Sequence, residues 1–520
     1  MAEIQSLILL STLFFLSVYL LRSILSRTAA KSTALRLPPS PPSLPLIGHL
    51  HLLSPALYSS FRLLSDRYGP ILYLRLGASR CLVVSSAPIA AEIFKTHDVL
   101  FASRPTLAFA DKLYYGKLGF VLAPYGDYWR FMKKVCVTEL LSPRQLERSQ
   151  NVRREEIRRF LSRIAGHSRL KETVDIGAEL MRLTNNTTCR MLMNTTCSEE
   201  KNEAERIRYL VKEAMEVITK ICFGDVLGPL KNLGFLVYGK RALDVGRSCD
   251  ELMEKILKEH ELKGKMESNE HKDFMDILLD IQQEQHAAAI NLTRTHIKAF
   301  IWDLFVAGTD TSSVAMQWAM AELISHPEVL KRVRKEIESV VGESGRLVEE
   351  EDIPKLPYLQ AVVKETLRLY PSGPVTIREC RQSCKIGGYD VPQKTSVAVN
   401  LFAIMRDPQV WSEPNEFRPE RFLASSSKQE RIETNTGQSF DFIPFGGGRR
   451  ACPGATLALS MINTTMAALV QCFDWKVVGE GGGEEEAKVD MQPGQGLTLG
   501  MAKPLLLVPT LLFDPFGASI

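Results

Sequence analysis

Near the C-terminal end stands Phe445-Gly446-Gly447-Gly448-Arg449-Arg450-Ala451-Cys452-Pro453-Gly454, followed by an apolar helical pattern over residues 455–470. A thiolate that ligates a haem iron needs these features together. Its sulfur must sit in a loop whose backbone N–H groups turn toward it, because those hydrogen bonds lower the thiol pKa and tune the metal. Glycines such as Gly448 and Gly454 permit so tight a backbone. A helix starting directly afterwards brings its positive end close to the negative sulfur. A cation is needed for the carboxylates of the haem, and Arg450 is placed for that. The alternative for Cys452 is a buried free thiol, the usual state of an isolated cysteine. The complete spacing Phe-x-x-Gly-x-Arg-x-Cys-x-Gly, from Phe445 to Gly454, argues against it.

Further constellations accompany this loop. Ala307-Gly308-Thr309-Asp310-Thr311-Ser312 lies inside a helical stretch over residues 297–324. Mid-helix glycine and paired threonines have poor helix propensity. A hydroxyl that bonds back to the preceding turn widens a helix locally. The competing reading is a helix that tolerates small residues at a packing contact. Glu365-Thr366-Leu367-Arg368 sets an acid and a base at i and i+3 on one helical face. On a surface such a pair contributes little. Phe417-Arg418-Pro419-Glu420-Arg421-Phe422 supplies another arginine, and Tyr125-Gly126-Asp127-Tyr128-Trp129-Arg130-Phe131-Met132-Lys133 joins a tryptophan to two cations. Arg378 follows Pro371-Ser372-Gly373-Pro374.

These segments together resemble the signature of the cytochrome P450 superfamily, and the resemblance runs from the proline-rich segment at Leu37 to the end of the chain. It implies haem b with Cys452 as axial thiolate and metal ligand. It implies that Thr311 helps deliver protons during oxygen activation and that Asp310 belongs to the proton route. Residues matching Glu365, Arg368 and Arg421 form a buried charged network behind the haem in this family, with a structural role. The segment around Trp129 resembles the family segment whose tryptophan and basic residue contact a haem propionate. The commoner family pattern has arginine four residues after the tryptophan, where this chain has Lys133. Lysine keeps the charge and loses the bidentate fork, so Lys133 and Arg130 both stay open for that contact. Arg378 matches another propionate-binding position; the alternative is a solvated arginine at a strand end.

The resemblance further implies a monooxygenase that inserts one oxygen atom from O2 into an organic substrate, or desaturates it. The chain has no dinucleotide-binding glycine fingerprint or flavin domain, so electrons are expected from a separate NADPH–cytochrome P450 reductase. Lys133, Lys134 and Arg449 are candidate docking charges. Phe101-Ala102-Ser103-Arg104-Pro105, Phe131-Met132-Lys133-Lys134 and Gln471-Cys472-Phe473-Asp474-Trp475 are similar to plant microsomal (A-type) members, in the group holding flavone synthase II, isoflavone synthase and dihydroxypterocarpan 6a-hydroxylase. The expected substrate is therefore a flavonoid of flavanone or isoflavonoid type. The same group contains enzymes acting on triterpenes, and a triterpenoid hydroxylase is the alternative. Expected pocket residues are Ala299, Asp303 and Ala307 on the distal helix, Val375, Thr376 and Ile377, and Leu497, Thr498 and Leu499, under a cap over residues 107–121. A non-enzymatic haem-binding membrane protein is the alternative of another class; it has no need of the Asp310–Thr311 pair.

The elements that must hold these residues belong to a large body. The chain has 520 residues, 45% of them hydrophobic and 24% charged, with a formal charge of +4 that gives no argument for nucleic acid. Ten scattered cysteines exclude a short disulfide scaffold. The close pair Cys380 and Cys384 has no second pair or nearby histidines, so no zinc site is expected there. Residues 4–21 carry no charge and are mostly Leu, Ile, Phe and Val, while Arg22, Arg27 and Lys31 follow. This pattern predicts a single membrane span with the body on the cytosolic side, and the resemblance to plant microsomal members implies the endoplasmic reticulum. A cleaved signal peptide would want a basic start and small residues at its end. The density of proline in Leu37-Pro38-Pro39-Ser40-Pro41-Pro42-Ser43-Leu44-Pro45 forbids helix and predicts a stiff extended spacer.

The chain thus divides into an anchor (1–26), a basic and proline-rich hinge (27–48) and a catalytic domain (49–520). In the last, residues 71–74 and 81–84 flank Gly77-Ala78-Ser79 as a hairpin would. Helical spacing dominates residues 89–341 and returns at 358–369; strands are expected near 383–391 and 396–401. The glycine and glutamate run at 479–486 reads as solvated loop. The fold class is mainly α with a minor β region, and parallel α/β is not supported because strands and helices do not alternate.

Overall fold

The computed structural model describes residues 35–105, 115–194, 231–266, 273–283, 290–342, 345–423, 440–478 and 488–516, with scattered positions at 10, 12, 13, 17, 206, 209–214, 216 and 217. The anchor, the basic start of the hinge, the loop at 479–486 and most of the expected cap lie outside the described residues, apart from helical positions Leu10, Thr12, Leu13 and Ser17.

In chain order the helices are α1 Leu57–Tyr68, α2 Ala87–Ala91, α3 Asp127–Val135, α4 Pro143–Arg148, α5 Gln150–Leu170, α6 Ile176–Met193 and α7 Lys231–Met266. They continue with α8 Phe274–Gln283, α9 Arg294–Ser325, α10 Pro327–Val341, α11 Pro357–Leu369, α12 Leu401–Ile404 and α13 Ala455–Cys472. The strands are β1 Ile71–Leu76, β2 Ser79–Val84, β3 Val174–Asp175, β4 Val375–Glu379, β5 Cys384–Ile386, β6 Tyr389–Val391, β7 Ser396–Asn400, β8 Phe473–Val477 and β9 Leu506–Leu511. The described residues are mainly helical with a minor sheet region.

Local chemistry explains most boundaries. Thr293 and His296 cap α9 reciprocally, and Pro327 and Pro357 occupy the first turns of α10 and α11, where a missing N–H costs nothing. The hairpin β1–β2 turns at Gly77, whose φ of 57° suits a tight two-residue connection. β5 and β6 turn likewise through Gly387 and Gly388, φ 55° and 78°. The main sheet runs β1-β2-β7-β4, with only β2 and β7 parallel. A second sheet, β3-β9-β8, joins the segment before α6 to the C-terminal region.

The core is built around α9. Phe300, Trp302, Phe305, Met316 and Trp318 are all buried, so this helix is covered around its girth. It packs on α6 and on α13. Helix α13 is long and apolar enough to cross a membrane, yet 61% of it is buried; it is a core helix, and the Cys452 loop leads directly into it. The described part of the proline-rich hinge does not stand free of the body. The Tyr73 amide donates to Pro39 O (2.9 Å), and the His49 ring lies 2.8 Å from Pro41 O while accepting the Arg75 amide (2.8 Å). Prolines leave carbonyls unpaired by their own segment, and β1 and His49 satisfy them.

Candidate functional site

Backbone geometry in the Cys452 loop demands glycine at specific places. Gly448 has φ 68°, and a Cβ there would meet Asp98 Oδ1 at 2.5 Å and Phe94 O at 2.9 Å. Gly447 is pressed against the Phe94 ring in the same way, at 2.5 Å. The Cys452 amide donates to Phe445 O (3.0 Å) and that of Ala451 to Gly448 O (2.9 Å), closing the loop on itself. The Cys452 sulfur lines a cavity, so it is accessible on that side while protein crowds it elsewhere. This crowding raises its pKa; the Gly454 amide and the Lys133 ammonium pull the other way. The first turn of α13 begins three residues on.

The cavity has a volume of about 430 Å³. Four cations reach it: Arg104, Lys133, Arg378 and Arg450. No carboxylate is among its described lining residues. Arg378 is 2% exposed, and burial with the charges of Arg104 and Arg450 holds its pKa well below the ordinary value. Burial lowers Arg450 to about 9 and Arg104 to about 10, and it lowers Lys133 too. Arg450 donates to the carbonyls of Ala102 (2.7 Å) and Ala123 and lies 4.2 Å over the Trp129 ring. The Trp129 indole N–H and Arg104 Nε are buried without partners. Unpaired buried donors and like charges are costly. A ligand with two carboxylates answers both, and Cys452 offers an axial sulfur. The residues present therefore fit haem.

Of the two residues open for the Trp129 segment, Lys133 lines the cavity, lies 5.2 Å from the Trp129 ring centre and donates to Arg449 O. Arg130 is exposed, pairs with Asp127 and is not among the described lining residues. In the sequence Arg104 stands out only as part of residues 101–105, the segment similar to plant microsomal members. Its position before a proline carried no signal of cavity lining.

On α9, Ala307, Gly308, Thr311 and Ser312 line the cavity. The Thr311 hydroxyl donates to Ala307 O (2.8 Å) and that of Thr309 to Phe305 O (2.8 Å), both one turn back. The helix is nonetheless continuous from Arg294 to Ser325. Gly308 lets α6 approach: a Cβ there would lie 2.9 Å from Thr188 Oγ1. Asp310 is turned off the wall, bonded to Thr498, and burial raises its carboxyl pKa. Thr498 thus serves Asp310 and is not a described lining residue.

Other expected pocket residues lie elsewhere. Thr376 and Arg378 share the face of β4 that meets the cavity, and Val375 reaches it from the start of the strand; Ile377, on the other face, is 36% exposed. Ala299 is buried in packing. Leu497 is 49% exposed, and buried Leu499 offers its carbonyl to the Trp318 indole (2.7 Å). Asp303 accepts the Val121 amide (2.8 Å) and holds the segment 118–123 that roofs the cavity; Phe120 and Val121 do the lining. Surrounding protein raises Asp303 to about 7 against the pull of the Val121 and Phe120 amides.

Behind the cavity, Arg368 forks onto Glu365 at 2.7 and 2.8 Å, and Arg421 Nε donates to the same carboxylate at 3.1 Å. Glu365 and Arg368 have no exposed surface. Arg368 also donates to Met405 O and Pro414 O, tying α11 to the segment 405–414.

A fold built on one buried helix, a glycine-bent cysteine loop and this acid–base network is matched by the family model described as Cytochrome P450 over residues 38–500. The chain belongs to the cytochrome P450 family. This P450 is 46% identical over 476 residues to Cytochrome P450 705A22 of Arabidopsis thaliana, covering 91% of this chain and 90% of that relative. It is 44% identical to 3,9-dihydroxypterocarpan 6A-monooxygenase of Glycine max, covering 94% and 95%. It is 41% identical to Beta-amyrin 24-hydroxylase of Glycine max over the full length of both. A zebrafish cytochrome P450 solved with progesterone superposes with a TM-score of 0.74 at 27% identity, covering 88% of this chain and all of that one. The P450 is an oxidoreductase of plant monooxygenase type, and its cofactor is a haem iron with a thiolate ligand.

Proposed function

We propose that this P450 is a microsomal monooxygenase acting on a flat phenolic substrate of flavonoid type, flavanone or isoflavonoid. The observation that carries this reading is the 44% identity, over nearly the whole of both chains, to a pterocarpan monooxygenase. The cavity agrees with it: Leu304, Ala307 and Val375 give apolar walls, while Thr188, Thr311 and Thr376 add hydroxyls. The full-length match to a triterpene hydroxylase supports the second reading, a triterpenoid substrate.

Bound at Cys452, the haem supplies oxygen activation. The protein binds it through the charges of Arg450, Arg378, Arg104 and Lys133 and the Trp129 indole, and it orients the substrate. Thr311 holds a movable proton at Oγ1: the hydroxyl that donates to Ala307 O can turn toward the cavity. Asp310, bonded to Thr498 and with its pKa raised by burial, keeps a proton more readily than an ordinary carboxyl and serves as the proton reserve beside the cavity. Reducing equivalents come from a membrane-bound NADPH–cytochrome P450 reductase docking on exposed basic residues such as Lys134 and Arg449. An uncleaved N-terminal span holds the body at the cytosolic face of the endoplasmic reticulum.

Microsomes holding the chain and a plant reductase test this reading. Dithionite and carbon monoxide give a strongly red-shifted Soret band that is lost in Cys452→Ala. A flavanone, an isoflavonoid precursor and β-amyrin are then supplied with NADPH. Oxygenated or desaturated flavonoid is the expected product; turnover of β-amyrin alone overturns the substrate assignment and leaves the monooxygenase intact.

A further inference from the structure

Cys380 directly follows β4 and Cys384 opens β5, with the exposed turn 381–383 between them. Their sulfurs lie 3.9 Å apart. A disulfide needs about 2.0 Å, so the pair must close by roughly 2 Å, within the range of side-chain rotation. The two thiols differ in access. Cys380 has no exposed surface, and its thiol faces Gln382 O at 3.0 Å and Val391 O at 3.8 Å. Cys384 is partly exposed. The contact between the two sulfurs lowers the pKa of Cys384, while that contact and burial raise the pKa of Cys380. Cys384 is thus the accessible sulfur with the greater thiolate character, and a second sulfur waits behind it.

We propose that Cys380 and Cys384 form a peroxide-oxidisable dithiol that closes a five-residue disulfide loop at the end of β4. Hydrogen peroxide is the oxidant. The Cys384 thiolate attacks one peroxide oxygen and the O–O bond breaks, giving a sulfenic acid and a hydroxide that takes up a proton. The Cys380 sulfur then attacks the sulfenic sulfur. The S–O bond breaks, the S–S bond forms, and a second water leaves with the Cys380 proton. Two electrons pass from the two thiols to peroxide. A small dithiol reverses the bond by exchange, in keeping with the transient character of disulfides in a reducing compartment. The bond ties β4, which carries Thr376 and Arg378 at the cavity, to the β5–β6 hairpin.

The full-length holoenzyme in microsomes is treated with hydrogen peroxide, its remaining thiols are alkylated, and it is digested with trypsin. Cleavage after Arg378, Arg381 and Lys385 separates the cysteines onto peptides 379–381 and 382–385. The expected result is these two peptides joined by a disulfide, absent without peroxide and lost with dithiothreitol. In Cys380→Ser, dimedone captures a sulfenic acid on Cys384; in Cys384→Ser, neither product forms. The reduced carbon monoxide spectrum, unchanged in both variants, reports that each folds. Full alkylation of both cysteines in peroxide-treated wild type overturns the proposal. So does a sulfinic acid on Cys384 beside an alkylated Cys380.

Discussion

Asparagine at position 303 keeps the shape of the aspartate and an oxygen for the Val121 amide, and it removes the charge. In the wild type, surrounding protein raises Asp303 from the ordinary 3.8 to about 7. The folded chain therefore binds this proton more tightly than the unfolded chain does. The associated stability is fully present below about pH 4 and is lost as pH rises through 7. A rise of about three pH units, at about 1.4 kcal/mol each, sets a ceiling of about 4 kcal/mol on the loss. Asp303 keeps some accessible surface, and solvent screening brings the expected figure to about 1–3 kcal/mol. Asparagine has no such titration. The melting midpoint of Asp303→Asn, followed at a fixed scan rate on holoenzyme from about pH 4 to 8.5, is expected to match wild type at the acid end. It should move above wild type as pH rises, with the gap flattening beyond the pKa. The roof segment 118–123 rests on this carboxylate, so limited proteolysis there should follow the same curve. A gap that is independent of pH, or a wild type that gains stability with rising pH, would refute the reasoning. It would mean that the Val121 and Phe120 amides hold Asp303 as an ordinary ionised carboxylate.

Four other substitutions have defined outcomes. Glu365→Ala strands the Arg368 guanidinium where it has no exposed surface, at a cost of about 3–5 kcal/mol; a large fall in melting midpoint with loss of bound haem is expected. Gly448→Ala forces a Cβ to within 2.9 Å of Phe94 O at φ 68°, and a drop of at least half in the haem content of folded protein is the expected reading. Lys133→Ala removes a cavity cation and Arg130→Ala an exposed one. Transfer of haem to an acceptor protein should quicken several-fold in the first and stay near wild type in the second.

What the sequence made legible was local in origin. The hairpin β1–β2 follows from two apolar runs around a glycine turn, and the boundaries of α9 and α11 follow from periodicity and capping. The cysteine loop is a contiguous motif whose glycines answer to contacts visible only in three dimensions, yet whose spacing is written in a row. The wall of the cavity is another matter. Position along α9 placed Ala307 and Thr311 near the cavity and also suggested Asp303. The facing of Asp303 toward Val121 depends on how 118–123 returns over the helix. Arg104 joins Arg378 and Arg450 only after chain segments hundreds of residues apart are brought together. The pairing of β8 with β9 spans a stretch that includes 479–487, outside the described residues, and no local pattern announces it. The proline-rich segment reads as a free spacer because composition reports stiffness, whereas its docking on β1 depends on the His49 ring and the Arg75 backbone.

Four positive side chains reach one cavity, and no carboxylate is among its described lining residues. Like charges so gathered repel one another, and on the proposed reading the carboxylates of a haem would relieve that repulsion. Binding then contributes to folding by mass action. The abundance of this enzyme in a cell should therefore track haem supply as well as transcription, with chains that miss their cofactor the first to be cleared by proteolysis.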